Sequence, residues 1–149
     1  MPETQPNPAL TVRPAVLADA KAMTAIDAQH TSVAKPQHWQ KLLEAAGDTD
    51  VALVAVLGDE VVGFVVGETR AWEFGSPPTG WVYAVGVSPE VQQSGVGRQL
   101  VTAVLDEFNN RGVASVRTMV RREDVTLLRF FRTAGFTAGP FVELEVECE

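Results

Sequence analysis

Two glycines one residue apart, Gly95 and Gly97, occupy the turn of the segment VSPEVQQSGVGRQL, residues 87–100. An apolar run precedes this turn and an amphipathic run follows it, which predicts a strand that turns into a helix. Backbone N–H groups at a helix N-terminus have no intrahelical partner, and the helix dipole adds partial positive charge there. Glycine has no Cβ, so a bulky anion can approach these amides closely. The predicted chemistry is phosphate binding, with Arg98 as a further source of positive charge.

The same spacing has a plainer interpretation, in which the two glycines only shape a tight connection. The turn lies between a buried strand and the most amphipathic predicted helix, which favours the phosphate site. Two common phosphate-binding motifs are absent. The chain has no Gly-X-X-X-X-Gly-Lys-Ser/Thr sequence, and a Gly-X-Gly-X-X-Gly pattern starting at Gly95 fails because residue 100 is leucine.

The elements that must position the turn follow from the hydrophobic pattern. We predict strands at residues 9–13, 51–57, 61–69, 81–87, 113–120 and 141–147, and helices at residues 18–29, 36–46, 96–111 and 125–134. Strands and helices in this order predict an α/β (α+β) fold with a mixed central sheet flanked by helices. We expect residues 9–149 to form one domain after a flexible N-terminal segment, residues 1–8.

Composition narrows the function classes. The chain has 149 residues, 46% of them hydrophobic, which is enough for one sizeable core. A net charge of -7 argues against a general nucleic-acid surface and suits a basic or amine-bearing small molecule. The single cysteine, Cys148, excludes an intrachain disulfide, and no His, Asp or Glu spacing indicates a metal. With no apolar run of membrane-spanning length, we expect no membrane partner and a cytoplasmic location.

Three segments carry a family resemblance. Val85-Gly86-Val87, followed by a helix that opens after Gln92-Gln93-Ser94-Gly95-Val96-Gly97, looks like the acyl-CoA-binding motif Gln/Arg-X-X-Gly-X-Gly/Ala. Residues 11–20 and residues 128–136 resemble the opening strand and helix and the last helix of the same family. That family is the GNAT superfamily of N-acyltransferases, and the match in element order covers residues 10–147.

The resemblance implies a site for acetyl-CoA as acyl donor, between residues 81–87 and the following strand, which splay apart at a bulge near residues 84–87. Backbone groups of Val85 and Val87 would bind the pantetheine and thioester, and the amides of residues 93–98 would hold the pyrophosphate. Asp124 stands where the family usually has an asparagine that contacts the cofactor arm. The implied cofactor-binding residues are Val85, Gly86, Val87, Gln92, Gln93, Ser94, Gly95, Val96, Gly97, Arg98, Asp124 and Phe131.

Acetyl transfer to an amine needs a neutral nucleophile, and deprotonating a lysine-like amine at pH 7 costs about 4 kcal/mol. A base would help, as would a proton donor for the leaving thiolate and a backbone N–H, such as that of Val87, for the oxyanion. The resemblance places a tyrosine donor where this chain has Phe131, which cannot donate. It places a glutamate base where this chain has Tyr83, a poor base at neutral pH.

Other side chains could take these roles. Glu68 and Glu73 are candidate bases, although carboxylates at strand ends are often only solvated. Tyr83 could donate to the thiolate or orient a water, or simply pack on its strand. His30 and His38 lie around the connection between the first two helices, where the family binds acceptors. The alternative is that both are merely exposed, as lone histidines in loops often are.

Aromatic residues add a candidate acceptor wall. Trp72 and Phe74, in a Pro-rich loop, could line the acceptor cleft together with Trp39, for which core packing is the alternative. The last predicted strand alternates apolar residues with Glu143, Glu145 and Glu147, and an edge strand of this kind could pair with a second copy to form a homodimer.

These observations support one leading hypothesis and two alternatives. The leading one is an N-acetyltransferase that moves an acetyl group from acetyl-CoA to a primary amine of a small molecule or peptide, by direct attack in a ternary complex. The first alternative is a catalytically weak CoA or acyl-CoA sensor or partner domain. The second is a phosphate-ligand domain unrelated to CoA, which would require the strands beside Gly95 to remain paired.

Overall fold

The computed structural model describes residues 9–92 and 94–149, and the chain divides into two compact units after Met119. The strands of the first unit are β1 Leu10–Pro14, β2 Asp50–Leu57, β3 Glu60–Arg70, β4 Thr79–Val87 and β5 Val116–Thr118. Its helices are α1 Ala20–Thr31, α2 Pro36–Glu44 and α3 Val96–Asn110. The second unit contains α4, Val125–Thr133.

The strands of the first unit form a single sheet in the order β1-β2-β3-β4-β5. Neighbouring strands from β1 to β4 are antiparallel, whereas β4 and β5 are parallel. A parallel pair needs a crossover, and α3 lies in the connection between β4 and β5. The predicted mixed sheet with flanking helices is therefore confirmed.

Side chains of β3 alternate between the two faces of this sheet. Phe64 and Val66 join a buried cluster with residues of α1, α2 and β2, namely Met23, Ile26, Trp39 and Val54. On the other face, glycines admit α3: a Cβ on Gly63 would lie 2.9 Å from a methyl of Leu100, and one on Gly67 would lie 3.0 Å from the Phe108 ring. The core therefore lies on both faces of β3, beside the strand that carries the candidate site.

A partly buried ion pair fixes the start of α1. The carboxylate of Asp19, which is 6% exposed, accepts from both terminal nitrogens of Arg13 at 2.8 and 3.0 Å and from the N–H of Val16 at 2.7 Å. The hydrogen bonds from Arg13 outweigh desolvation and hold the pKa of Asp19 below its ordinary value. The pair links the end of β1 to the beginning of α1.

Two predicted strands differ from the structure. The strand predicted at residues 113–120 is only Val116–Thr118, because Gly112 has a left-handed φ of 80° and the N–H of Val113 bonds back to the carbonyl of Phe108 at the end of α3. The strand predicted at residues 141–147 is wrong, since no strand is assigned there. Its apolar residues Val142, Leu144 and Val146 are 76–90% exposed, so the alternating pattern has no sheet to pack on.

The second unit positions Asp124 and Phe131. Asp124 is the N-cap of α4, where its side chain accepts from the N–H of Leu127 at 3.0 Å. That capping role differs from the predicted cofactor contact, which stays a prediction. Phe131 is 4% exposed and makes edge contacts with the rings of Phe130 and Phe136, whose centroids lie 5.2 and 5.1 Å away. Among the described residues, no helix is long and apolar enough to cross a lipid bilayer.

Candidate active site

The carboxyl half of β4 has an open edge. Its pairing with β5 ends where Val82 meets Thr118, whose hydroxyl donates to the Val82 carbonyl at 2.8 Å. Pairing with β3 continues to Val87, which lies opposite Gly63. Within the described residues, β4 therefore has a strand on only one side from Tyr83 onward, as the predicted splay requires. The alternative of a phosphate-ligand domain unrelated to CoA required paired strands beside Gly95, and this requirement is not met.

The backbone groups of Val85 and Val87 point toward this open edge. The N–H of Ser88 donates to the carbonyl of Val62 on β3 at 2.8 Å. Residues of an antiparallel strand alternate in the side to which they donate and accept, so Gly86 also faces β3 whereas Val85 and Val87 face away from it. This is the direction that the predicted pantetheine and thioester contacts need; the contacts themselves stay predictions.

The bulge that starts the splay lies at Tyr83. Val66 pairs with Ala84 but the next residue, Gly67, pairs with Val82, so Tyr83 is an extra residue with no partner on β3. The prediction placed this bulge at residues 84–87, a residue or more too late. The difference has a physical cause, because an extra residue is defined only by the register with the neighbouring strand, which the sequence of β4 does not contain.

The glycine turn leads into a helix end that no described side chain caps. Gly95 is the N-cap of α3 with a φ of 86°, and no side chain accepts a hydrogen bond from this helix end in the described residues. The first helical hydrogen bond runs from the N–H of Gln99 to the carbonyl of Gly95 at 3.0 Å. The N–H groups of Val96, Gly97 and Arg98 therefore precede the first helical bond.

The remaining predicted phosphate-side residues differ in position. Gln92, Ser94 and Arg98 are exposed, and the hydroxyl of Ser94 donates to the carbonyl of Val91. Gln93 lies outside the described residues. The left-handed φ of Gly95 gives this glycine a conformational reason to be present, independent of any ligand.

Gly86 has a packing role. A Cβ at this position would lie 2.7 Å from Cε1 and 2.9 Å from Cζ of Phe64, and 3.3 Å from Cγ2 of Ile26. Both neighbours are core side chains, 2% and 4% exposed. Glycine at 86 thus allows α1 to approach β4 closely, while its predicted contact with the cofactor stays a prediction.

The candidate bases belong to a charged cluster around Arg70. Oε1 of Glu68 accepts from Nε of Arg70 at 2.6 Å, and Oε2 of Glu73 lies 3.7 Å from Nη1 of the same guanidinium. Asp50 lies opposite Glu68 across β2 and β3. The guanidinium of Arg70 also lies over the Trp81 ring, 5.2 Å from its centroid. Arg70 therefore hydrogen-bonds Glu68 and forms a longer ion pair with Glu73, beside Trp81 of β4.

Tyr83 belongs to the same cluster. Burial raises the pKa of its hydroxyl above the ordinary value of 10.0, and the negative charges of Glu68 and Asp50 raise it further against the opposing effect of Arg70. The side chain is 44% exposed, so solvent still reaches it. At neutral pH this tyrosine is protonated, which suits a proton donor and excludes a base.

The other predicted acceptor residues separate into buried and exposed groups. Trp39 is 3% exposed and packs edge-on against Phe64, with ring centroids 5.0 Å apart, so its role is in the core. Trp72 and Phe74 are 70% and 81% exposed in the loop between β3 and β4, and each has a left-handed φ. His38 lies in α2, edge-on to the ring of Trp39 at 4.7 Å.

His30 makes a contact that sequence reasoning missed. Its Nε2 lies 2.7 Å from the carbonyl oxygen of Val87 on the open edge. The available signal was helical spacing: His30 follows Ile26 by four residues and Met23 by seven, along the side of α1 that carries these two buried residues. His30 itself is exposed.

Comparison with known proteins gives one family match. The model of the family described as "Acetyltransferase (GNAT) family" matches residues 20–136. The mycothiol acetyltransferase of Kocuria rhizophila is 35% identical over 78 residues, covering 52% of this chain and 26% of the relative. The mycothiol acetyltransferase of Amycolatopsis mediterranei is 34% identical over 93 residues, covering 60% and 31%. The chain thus matches only about a quarter to a third of these relatives' length.

Solved structures with the same fold match almost the whole chain. Aminoglycoside N-acetyltransferase AAC(6')-Iy in complex with CoA has a TM-score of 0.84 at 17% identity, covering 99% of this chain and 98% of that one. The aminoglycoside acetyltransferase meta-AAC0020 from a soil metagenomic sample, in complex with sisomicin, has a TM-score of 0.76 at 20% identity, covering 94% and 96%. At these identities the similarity shows the fold.

Proposed function

Because the chain belongs to the acetyltransferase (GNAT) family, we propose that it transfers the acetyl group of acetyl-CoA to a primary amine of a small molecule or peptide, by direct attack in a ternary complex. The observation that carries the proposal is the open edge at Val85–Val87. The N-terminus of α3 follows it along the chain, and no side chain of the described residues caps that helix end. An unpaired strand edge offers N–H and C=O groups to an amide-bearing ligand, and free helix amides suit a pyrophosphate.

Donor binding follows from these two features. The backbone groups of Val85 bind the pantetheine arm, the N–H of Val87 faces the thioester, and the amides at Gly95–Arg98 hold the pyrophosphate. The N–H of Val87 then stabilises the oxyanion that forms when the amine attacks the thioester carbonyl. Collapse of the tetrahedral intermediate breaks the C–S bond, forms the amide product and releases CoA as a thiolate, which takes up a proton.

Proton transfers belong to the cluster at Tyr83. Glu68 removes a proton from the amine, directly or through water, with Glu73 as the second candidate base. Tyr83 gives a proton to the thiolate or orients the water. Arg70 fixes Glu68 at 2.6 Å, so the carboxylate oxygen has a defined position on the β3 side of the bulge.

The proposal is tested in two stages with the purified chain. Calorimetry with acetyl-CoA and with CoA measures donor binding, and absence of binding at millimolar concentration refutes the donor site. Thiol release is then followed over a panel of amines, with products identified by mass. Aminoglycosides enter the panel because neighbours with this fold are named for them, beside amino acids, polyamines and peptides.

Two matched variants separate the candidate bases. Glu68→Gln lowers kcat while Glu73→Gln changes it little if Glu68 is the base. Of these two carboxylates, Glu68 is the one whose charge raises the pKa of Tyr83. The opposite ranking assigns Glu73. Tight acetyl-CoA binding with no acceleration by any amine in the panel would refute catalysis and favour the sensor alternative.

A further inference from the structure

His30, in the last turn of α1, contacts the open edge of β4. Its Nε2 lies 2.7 Å from the carbonyl oxygen of Val87, which is 57 residues away in the chain. A carbonyl oxygen can only accept, so Nε2 carries the proton in this contact. The imidazole therefore donates to the main chain of the residue whose own N–H is the proposed oxyanion donor.

The peptide group that joins Val87 to Ser88 is held at both ends. Its oxygen accepts from His30, and its N–H donates to the carbonyl oxygen of Val62 at 2.8 Å. Hydrogen bonds at both ends of one peptide group fix its plane, and each bond polarises the other. The N–H of Val87 belongs to the preceding peptide group, which joins Gly86 to Val87 and shares the Cα of Val87 with this one. Fixing the Val87–Ser88 plane therefore limits the backbone rotations at Val87 through which the preceding plane could turn.

Packing of α1 brings His30 to this position. Met23 and Ile26 lie on the buried face of α1, and His30 continues that face by one further turn. Ile26 packs against Gly86, where an added Cβ would come within 3.3 Å of its Cγ2. The missing side chain at Gly86 thus lets the helix approach β4, and the next turn places the imidazole at Val87.

We infer that His30 is a positioning residue for acetyl transfer: it holds the Val87–Ser88 peptide plane and so limits the backbone rotation at Val87 that would turn the Val87 N–H away from the acyl oxygen. The inference rests on the proposed function. Nε2–H donates in the neutral Nε2–H tautomer and in the imidazolium, so the contact does not depend on the charge of the ring.

Kinetics with two substitutions at residue 30 test the inference. His30→Leu removes the donor, and His30→Gln replaces it with an amide N–H at similar reach. We expect His30→Leu to lower kcat about tenfold or more with KM for acetyl-CoA within about threefold, because a misplaced donor affects the transition state more than binding. His30→Gln should recover most of the loss. Gln29→Leu, an exposed neighbour on α1, is the control and should resemble wild type.

Two kinetic outcomes overturn the inference. Wild-type kcat in His30→Leu would show that the contact does not position the donor. Equal losses in His30→Leu and His30→Gln would show that the N–H is not the important group. Thermal unfolding of all variants distinguishes these outcomes from loss of folding.

Nuclear magnetic resonance provides a readout that does not depend on turnover. Nitrogen-15 spectra of the imidazole should show protonated Nε2, and an Nδ1–H tautomer overturns the contact. The amide signal of Val87 should shift more with acetyl-CoA than with CoA, and this difference should shrink in His30→Leu and return in His30→Gln. If no amine is acetylated by the wild type, the proposed function fails, and these amide shifts still decide whether His30 orients Val87.

Discussion

Substituting Gly86 with alanine tests whether the missing side chain at this position is needed for the close packing of Phe64 and α1 against β4. The added Cβ would lie 2.7 and 2.9 Å from two ring carbons of Phe64 and 3.3 Å from Cγ2 of Ile26. Contacts below 3.0 Å cannot persist, and the 2% exposed Phe64 ring is enclosed by other core residues. Overpacking of this kind lowers the free energy of unfolding by about 1–3 kcal/mol, and with two ring contacts we expect a loss of about 2–3 kcal/mol. For a chain of this size the melting temperature should fall by roughly 5–10 °C.

The assay is chemical denaturation of the wild type, Gly86→Ala, Phe64→Leu and the double variant. Leucine lacks the ring atoms that the new Cβ meets, so the double variant should be more stable than the sum of the single effects by about 1 kcal/mol or more. Gly47→Ala is the matched control, since a Cβ there meets nothing within 4 Å, and its stability should change by less than about 0.5 kcal/mol. Wild-type stability in Gly86→Ala, or strict additivity with Phe64→Leu, would refute the packing argument.

Three further outcomes are expected. Gly97→Asp should weaken CoA binding about 100-fold through like-charge repulsion with the pyrophosphate. Folding should be unchanged, because an acidic residue is favourable in the first turn of a helix. Calorimetry measures the affinity and thermal unfolding the stability, and equal losses of affinity and stability would contradict the prediction. Asp19→Asn should cost about 1–3 kcal/mol near neutral pH. Arg13 lowers the pKa of Asp19 in the folded state, so the stabilisation by the Asp19 carboxylate is fully present above the unfolded-state pKa of about 4. It is lost as pH falls through the folded-state pKa, so the difference in stability between wild type and Asp19→Asn should disappear in acid. Tyr83→Phe should lower kcat by about 100-fold if the hydroxyl is the proton donor, and the wild-type pH profile should show no loss from tyrosine ionisation below pH 10, because the Tyr83 pKa is raised above 10.0.

Local features were predictable because their cause lies in neighbouring residues. The helix at Val96–Asn110 follows from apolar residues at steps of three and four, and it begins one residue after the glycine N-cap. The family match over residues 20–136 agrees with the resemblance that Val85–Gly97 carried. The roles assigned to individual site residues stay predictions, to be decided by the variants above.

Features that depend on a partner strand were less accessible. The alternating pattern of residues 141–147 is typical of a half-buried strand, but a strand also needs a neighbouring strand to pair with. The segment forms no strand in the structure. The bulge lies at Tyr83, outside the predicted residues 84–87, for a related reason. Its position is defined by the pairing of Val66 with Ala84 and of Gly67 with Val82.

The sequence by itself determined the glycine turn, the helix that it opens and the family to which both point, because dihedral freedom and helical periodicity are local properties. Only the tertiary structure decided which groups meet at the open edge of β4. It placed Glu68, Arg70 and Tyr83 in one charged cluster and brought His30 to a carbonyl 57 residues away. Such contacts follow from strand register and helix packing, which depend on the whole core.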